Sequence, residues 1–210
     1  QIIPIECISG LRKAELTELR EPGTDEEGTE TLRERYLTIL RKPSTSGNIY
    51  DYYNWAMSCD GVGAAKIFPL ANGPGTVKVV IADGNKSEAT PALCRQVKDF
   101  IEEQRPIGAT VTVTSAVELP INVMGSVKLH SGLNLGEVQS AFQDALAKFL
   151  HDSAFELSYV GLARVGNILL ETAGVEDYAG LTLNGQVHNV ALTDEQIAAV
   201  GTVTLEVVQG

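Results

Sequence analysis

Three histidines, three cysteines and two turn-rich segments hold the side chains of this 210-residue chain with the means to do chemistry. A catalytic histidine needs a nucleophile on one side and an orienting acceptor on the other. His130, His151 and His188 stand at neither triad nor metal spacing from such groups. Cys7, Cys59 and Cys94 are odd in number and form no CxxC or Cys/His pattern, so the expected state is three reduced thiols rather than a disulfide framework or a zinc site. Asn72-Gly73-Pro74-Gly75-Thr76 has the glycines of a phosphate cradle. It lacks the Lys-Ser/Thr pair and leads into a strand, whereas phosphate loops open a helix. Asp83, Asn85 and Glu88 offer oxygen ligands without the twelve-residue calcium-loop pattern, and Glu26, Glu27, Glu30 and Glu34 read as acids at a helix start. No Ser or Cys occupies a nucleophile elbow. The residues therefore predict a protein that is not an enzyme and has no catalytic set, cofactor or metal.

The elements that must position these residues follow from periodicity. Thr24 and Glu27 form a capping-box pattern at Gly23-Thr24-Asp25-Glu26-Glu27; Leu32, Tyr36, Ile39 and Leu40 then recur at helical spacing before Pro43. Thr45 to Asn48 reads as a turn and cap, with Tyr52, Trp55 and Ala56 on one side of a second helix. Strands over 64–69 and 76–82 are joined by Leu70 to Gly75 as a β-hairpin. Thr90-Pro91 caps a helix carrying the stripe Leu93, Val97, Phe100 and Ile101, and 109–115 alternates as a strand.

Glu118-Leu119-Pro120 reads as a boundary, after which Ile121, Val123, Val127 and Leu129 share one strand face opposite Asn122, Ser126 and Lys128. Helices follow on Leu135, Val138, Phe142, Leu146 and Phe149 and on Leu162, Val165, Ile168 and Leu169, the second closed by Gly174. The end is predicted as a hairpin of 177–183 with 202–208. Gly61-Val62 and Gly174-Val175 each follow a helix and lead into a strand. The expected fold is α+β: two small layered modules with mixed or antiparallel sheets, amphipathic helices and a ferredoxin-like tendency. Their limits are 23–117 and 118–210, with 1–22 as the end of a preceding segment or linker.

Composition narrows the function classes. A hydrophobic content of 44% suits a buried core, and no apolar run reaches the roughly 20 residues of a membrane span. A net charge of −11 argues against a general nucleic-acid binder, which needs clustered Lys and Arg.

The ordered set Gly23-Thr24-Asp25-Glu26-Glu27, Leu32-Arg33-Glu34-Arg35-Tyr36, Ser46-Gly47-Asn48, Asp51-Tyr52, then Trp55 through Thr76, and finally Arg105-Pro106-Ile107-Gly108-Ala109 resembles the baseplate J-like family of contractile phage tails and tailocins. The match is closest from Gly23 to about Val117. With Gln1 as the first residue, the chain reads as the later part of a longer subunit. The resemblance implies a non-enzymatic wedge subunit of the tail baseplate that assembles with other wedge subunits and a second copy of itself. It implies a place in the virion, assembled in the bacterial host cytoplasm, with no membrane, nucleic-acid or small-molecule partner. Arg33, Arg35 and the Asn72-Gly73-Pro74-Gly75 loop are the expected contact residues, since they belong to the family-like signature and core packing does not account for them. A small-molecule-binding regulatory α+β module is the alternative.

Overall fold

The structure, a computed structural model, describes residues 28–41, 45–130 and 132–208. Helix α1 (Thr29–Arg41) belongs to a unit ending at Pro43, and Ser44 to Gly210 forms a second unit. The predicted helix start at Gly23 to Glu27 and the stop at Pro43 lie outside the described residues.

Within the second unit, α2 (Ile49–Met57) begins where the turn predicts. Asn48 Oδ1 accepts the amides of Tyr50 and Asp51 at 2.9 and 3.0 Å, while the Asp51 carboxylate accepts the Asn48 amide at 3.1 Å. This reciprocal cap satisfies orphan donors of the first turn and explains a buried aspartate. Strands β1 (Val62–Pro69) and β2 (Thr76–Asp83) form the antiparallel hairpin. Helix α3 (Pro91–Gln104), capped by Thr90, carries the chain over to β3 (Thr110–Ser115), parallel to β2. The sheet order is β1-β2-β3. Both helices cover one face, over a core of Tyr52, Ala56, Val79, Ile81, Val97 and Ile101. Phe100, expected in the α3 stripe, is 37% exposed: the stripe narrows to the Val97 and Ile101 side that faces β3.

Only Ala116 separates β3 from β4 (Val117–Leu129), so Glu118-Leu119-Pro120 lies inside a strand rather than ahead of one. Pro120 is tolerated because β4 has only β8 beside it there, and pairing with β6 starts at Val123. After β4 come α4 (Leu135–Asp152), β5 (Tyr159–Val160), α5 (Leu162–Glu171), β6 (Val175–Leu183), β7 (Val190–Ala191) and β8 (Gln196–Val207). The expected hairpin of 177–183 with 202–208 does not form: the order is β6-β4-β8, with β4 antiparallel to β6 and parallel to β8. Alternation gives Ile121, Val123 and Val127 a shared face, and flanking β4 on both sides lets β6 and β8 seal that face beneath α4 and α5. Phe142, Leu146, Leu169 and Leu183 complete this core at 0% exposure.

A third cluster joins the two sheets. Val80, Ala82, Ala116 and Ile197 are buried against Phe68 and Phe155, on the face of the first sheet turned away from α2 and α3. Lys66 pairs there with Asp194 at 2.7 Å and Lys78 with Glu195 at 2.5 Å. Glu88 and Glu118 each accept the other's amide, at 3.2 and 3.0 Å.

Candidate functional site

The expected contact residues fall on two elements. On α1, Arg33 is exposed and reaches Glu30 at 3.4 Å, a pairing too open to fix either side chain. The side chain of Arg35 lies outside the described residues. Of the apolar residues read at helical spacing, Leu32, Tyr36 and Leu40 are 48%, 59% and 59% exposed.

Asn72, Gly73, Pro74 and Gly75 form the tip of the β1–β2 hairpin. Gly73 and Gly75 hold φ of 97° and 78°, conformations that a Cβ disfavours. Thr76 knits the turn: its Oγ1 accepts the Asn72 amide at 2.9 Å and donates to the Gly73 carbonyl at 2.7 Å. The Thr110 amide donates to the Gly75 carbonyl at 2.7 Å and ties the tip to β3.

Two further pieces of the signature converge on this end of the sheet. A Cβ on Gly47 would lie 2.3 Å from Pro106 Cγ, so the Ser46-Gly47-Asn48 turn packs on the Arg105 to Ala109 loop. Arg105 donates to the Ala109 carbonyl and to Glu102, closing that loop. An open groove of about 310 Å³ runs between Gly47, Tyr52, Leu70, Gly75 and Ile107. At its rim Leu70 is 64% exposed at φ 58°, and Ile107 is fully exposed. The sequence reading missed both; the usable signal was an aliphatic residue set among Gly and Pro, outside any apolar stripe.

Among the described residues the chemistry-bearing groups stay apart. His151 Nδ1 lies 3.2 Å from Asp152, which also accepts from Lys148 at 2.7 Å; these hydrogen bonds hold the exposed carboxyl below its ordinary range. Burial pushes the Cys59 and Cys94 thiols up, which lowers the thiolate fraction a nucleophile needs. Asp83 spends its Oδ1 on the amides of Asn85 and Ser87, both at 2.9 Å, in a closed turn. Among the described residues no group of three or more His, Cys, Asp or Glu is placed to hold a metal ion, and no helix is long and apolar enough to cross a membrane. A wider groove of about 700 Å³ lies between α4 and α5, floored by Ala141, Ala145, Phe149 and Ile168. Its rim carries the paired Lys148 and Asp152 and an Arg164 stacked on Phe149, not a convergent polar set.

Comparison with known proteins matches both sheets in turn. Residues 44–115 fit the model of the baseplate J-like central domain, and residues 121–206 fit that of the baseplate J-like protein C-terminal domain. The chain is 38% identical over 211 residues to the phage-like element PBSX protein XkdT of Bacillus subtilis (strain 168), covering 97% of this chain and 61% of that protein. It is 25% identical over 168 residues to baseplate protein gp47 of Escherichia phage Mu, covering 74% and 46%. The chain thus spans less than two thirds of the length of these relatives. Among solved structures, a chain of the anti-feeding prophage baseplate shares the fold, with a TM-score of 0.58 at 11% identity over 83% of this chain and 42% of that one.

Proposed function

The chain belongs to the baseplate J-like family, and on that premise we propose that it is a structural subunit of a contractile tail baseplate, acting through protein contacts rather than chemistry. The observation that carries this reading is the pair of family domains, in order, on the two sheets. Deleting the gene from the phage or phage-like element that encodes it, then imaging induced particles, tests the reading. Loss of baseplates, restored by the gene in trans, is the expected result; normal contractile tails without the subunit would refute it.

Within the baseplate the reading assigns the chain to the wedge, beside other wedge subunits and a second copy of itself, assembled in the host cytoplasm and carried in the virion. This finer assignment rests on the family resemblance. Its contact residues are Arg33 and Arg35 on α1 and the Asn72 to Gly75 tip, to which the exposed Leu70 and Ile107 add an apolar rim. Reversing Arg33 and Arg35 to Glu should leave the melting temperature unchanged while blocking entry into tails. Normal assembly of the double variant would remove α1 from the interface.

A further inference from the structure

The two sheets differ in how their outer faces are finished. The first sheet's outer face is closed by the chain itself: Phe155 and Ile197 cover Val80 and Ala82, while Lys66 and Lys78 meet Asp194 and Glu195 at the edge. Among the described residues nothing covers the outer face of the second sheet in this way. Strand register sets Thr182, Met124 and Thr204 in one row across β6, β4 and β8, Ala179, Ser126 and Glu206 in the next, and Asp177 beside Lys128 beyond it. Met124, at the centre of the middle strand, is 59% exposed, whereas Val123 and Val127 beside it on the opposite face are at 1% and 0%.

Charge selects what fits that face. From Val117 onward the sequence has eleven Asp and Glu against three Lys and Arg, a net −8 of the chain's −11. On the face, Lys128 is engaged by Glu176 at 2.7 Å and lies opposite Asp177, whose charge it also feels, so one lysine faces three acids, and among the described residues no salt bridge reaches Asp177 or Glu206. A second copy would bring the same acids against these, a repulsive pairing. The small side chains of Thr182, Ser126, Ala179 and Thr204 leave a flat surface, with a deformable thioether at its middle. We propose that this face docks a basic protein surface of another baseplate subunit, closing over Met124 with Lys or Arg toward Asp177 and Glu206, as the chain closes its own first sheet with the signs reversed. The proposal rests on the baseplate reading above.

Thr204→Cys in the full subunit, carrying a short photoactivatable cross-linker, tests it in particles assembled in the host and analysed by mass spectrometry. The expected result is a cross-link to a Lys- or Arg-rich segment of a different tail protein. Asp177→Lys with Glu206→Lys should, at an unchanged melting temperature, cut incorporation by about tenfold. Cross-links only to a second copy, or none from particles that contain the subunit, overturn this proposal and leave the baseplate reading standing. Particles that never contain the subunit overturn both. Should the double reversal fail to fold, the cross-link from the cysteine variant decides alone.

Discussion

Gly63→Ala is expected to be among the most damaging single-methyl additions to the first sheet. Gly63 is the extra residue of a bulge: Val62 pairs with Asp83 and Ala64 with Ala82, leaving Gly63 unmatched. A Cβ there would stand 2.3 Å from the Asp83 carbonyl oxygen and 3.0 Å from Gly84 Cα, both backbone atoms of the neighbouring strand and turn. Restoring ordinary contact requires a shift of roughly 1 Å in one strand, which no side-chain rotation can supply. Overpacking costs about 1–3 kcal/mol, and opening the bulge sacrifices about 1 kcal/mol of ladder hydrogen bonding. The stiffer unfolded chain returns about 0.4–1 kcal/mol. A net loss of about 1–3.5 kcal/mol follows, or a fall of about 1 M in the urea midpoint at the middle of that range. Gly73→Ala is the control, because a Cβ there meets nothing within 4 Å and only the φ of 97° opposes it. Its net cost is about 1 kcal/mol or less. Equal midpoints for the two variants would refute the steric argument.

Gly73→Val and Gly75→Val should each destabilise by about 1–3 kcal/mol in the same titration, Gly75 more because its Cβ would also sit 3.3 Å from the Gly108 carbonyl. Burial raises Cys59, Cys94 and Tyr52, so the folded state holds protons that the unfolded chain releases above the ordinary thiol value of 9.0. Stability should be flat from pH 7 to about 8.5 and fall beyond it, and urea midpoints that rise toward pH 10 would contradict the sign. Lys66→Glu with Lys78→Glu should cost about 0.5–2 kcal/mol in low salt, since both pairs are partly exposed, with the deficit shrinking in 1 M NaCl. A deficit independent of salt would mean that the lysine stems, not the charges, hold the seam.

Local chemistry was legible wherever it is written into a few adjacent residues. Thr45 to Asn48 reads as a cap, Thr90-Pro91 as a helix start and Leu70 to Gly75 as a hairpin connection, because each acts on the backbone within a turn. Pairing over distance was not. Alternation in β4 states which side chains share a face but not which strands lie alongside, so β8 was placed next to β6 although β4 stands between them. The boundary at Glu118-Leu119-Pro120 rests on one pattern ending and a long strand beginning; that strand starts at Val117 and carries Pro120 within it, where only β8 lies alongside. The exposed Leu70 and Ile107 were hidden for the opposite reason: an apolar residue in a loop carries no period, and its exposure depends on three segments meeting at one end of a sheet.

The central position of β4 also has a consequence for synthesis on the ribosome. Residues 45–116 contain every strand of the first sheet and both helices over it, so the helix-covered side of that layer can close soon after it emerges. Strand β4 follows at once, yet its parallel partner begins about eighty residues later, at Gln196. At about 5–20 residues per second, Ile121, Val123 and Val127 wait about 4–16 s for β8 to arrive. During that interval the chain offers an unsatisfied strand edge and an unsealed apolar face to its neighbours on the same message. A nascent chain arrested before Gln196 would therefore carry a first sheet closed on its helix-covered side but still missing Ile197 on its outer face, beside an adhesive second layer, so that β8 completes both at once.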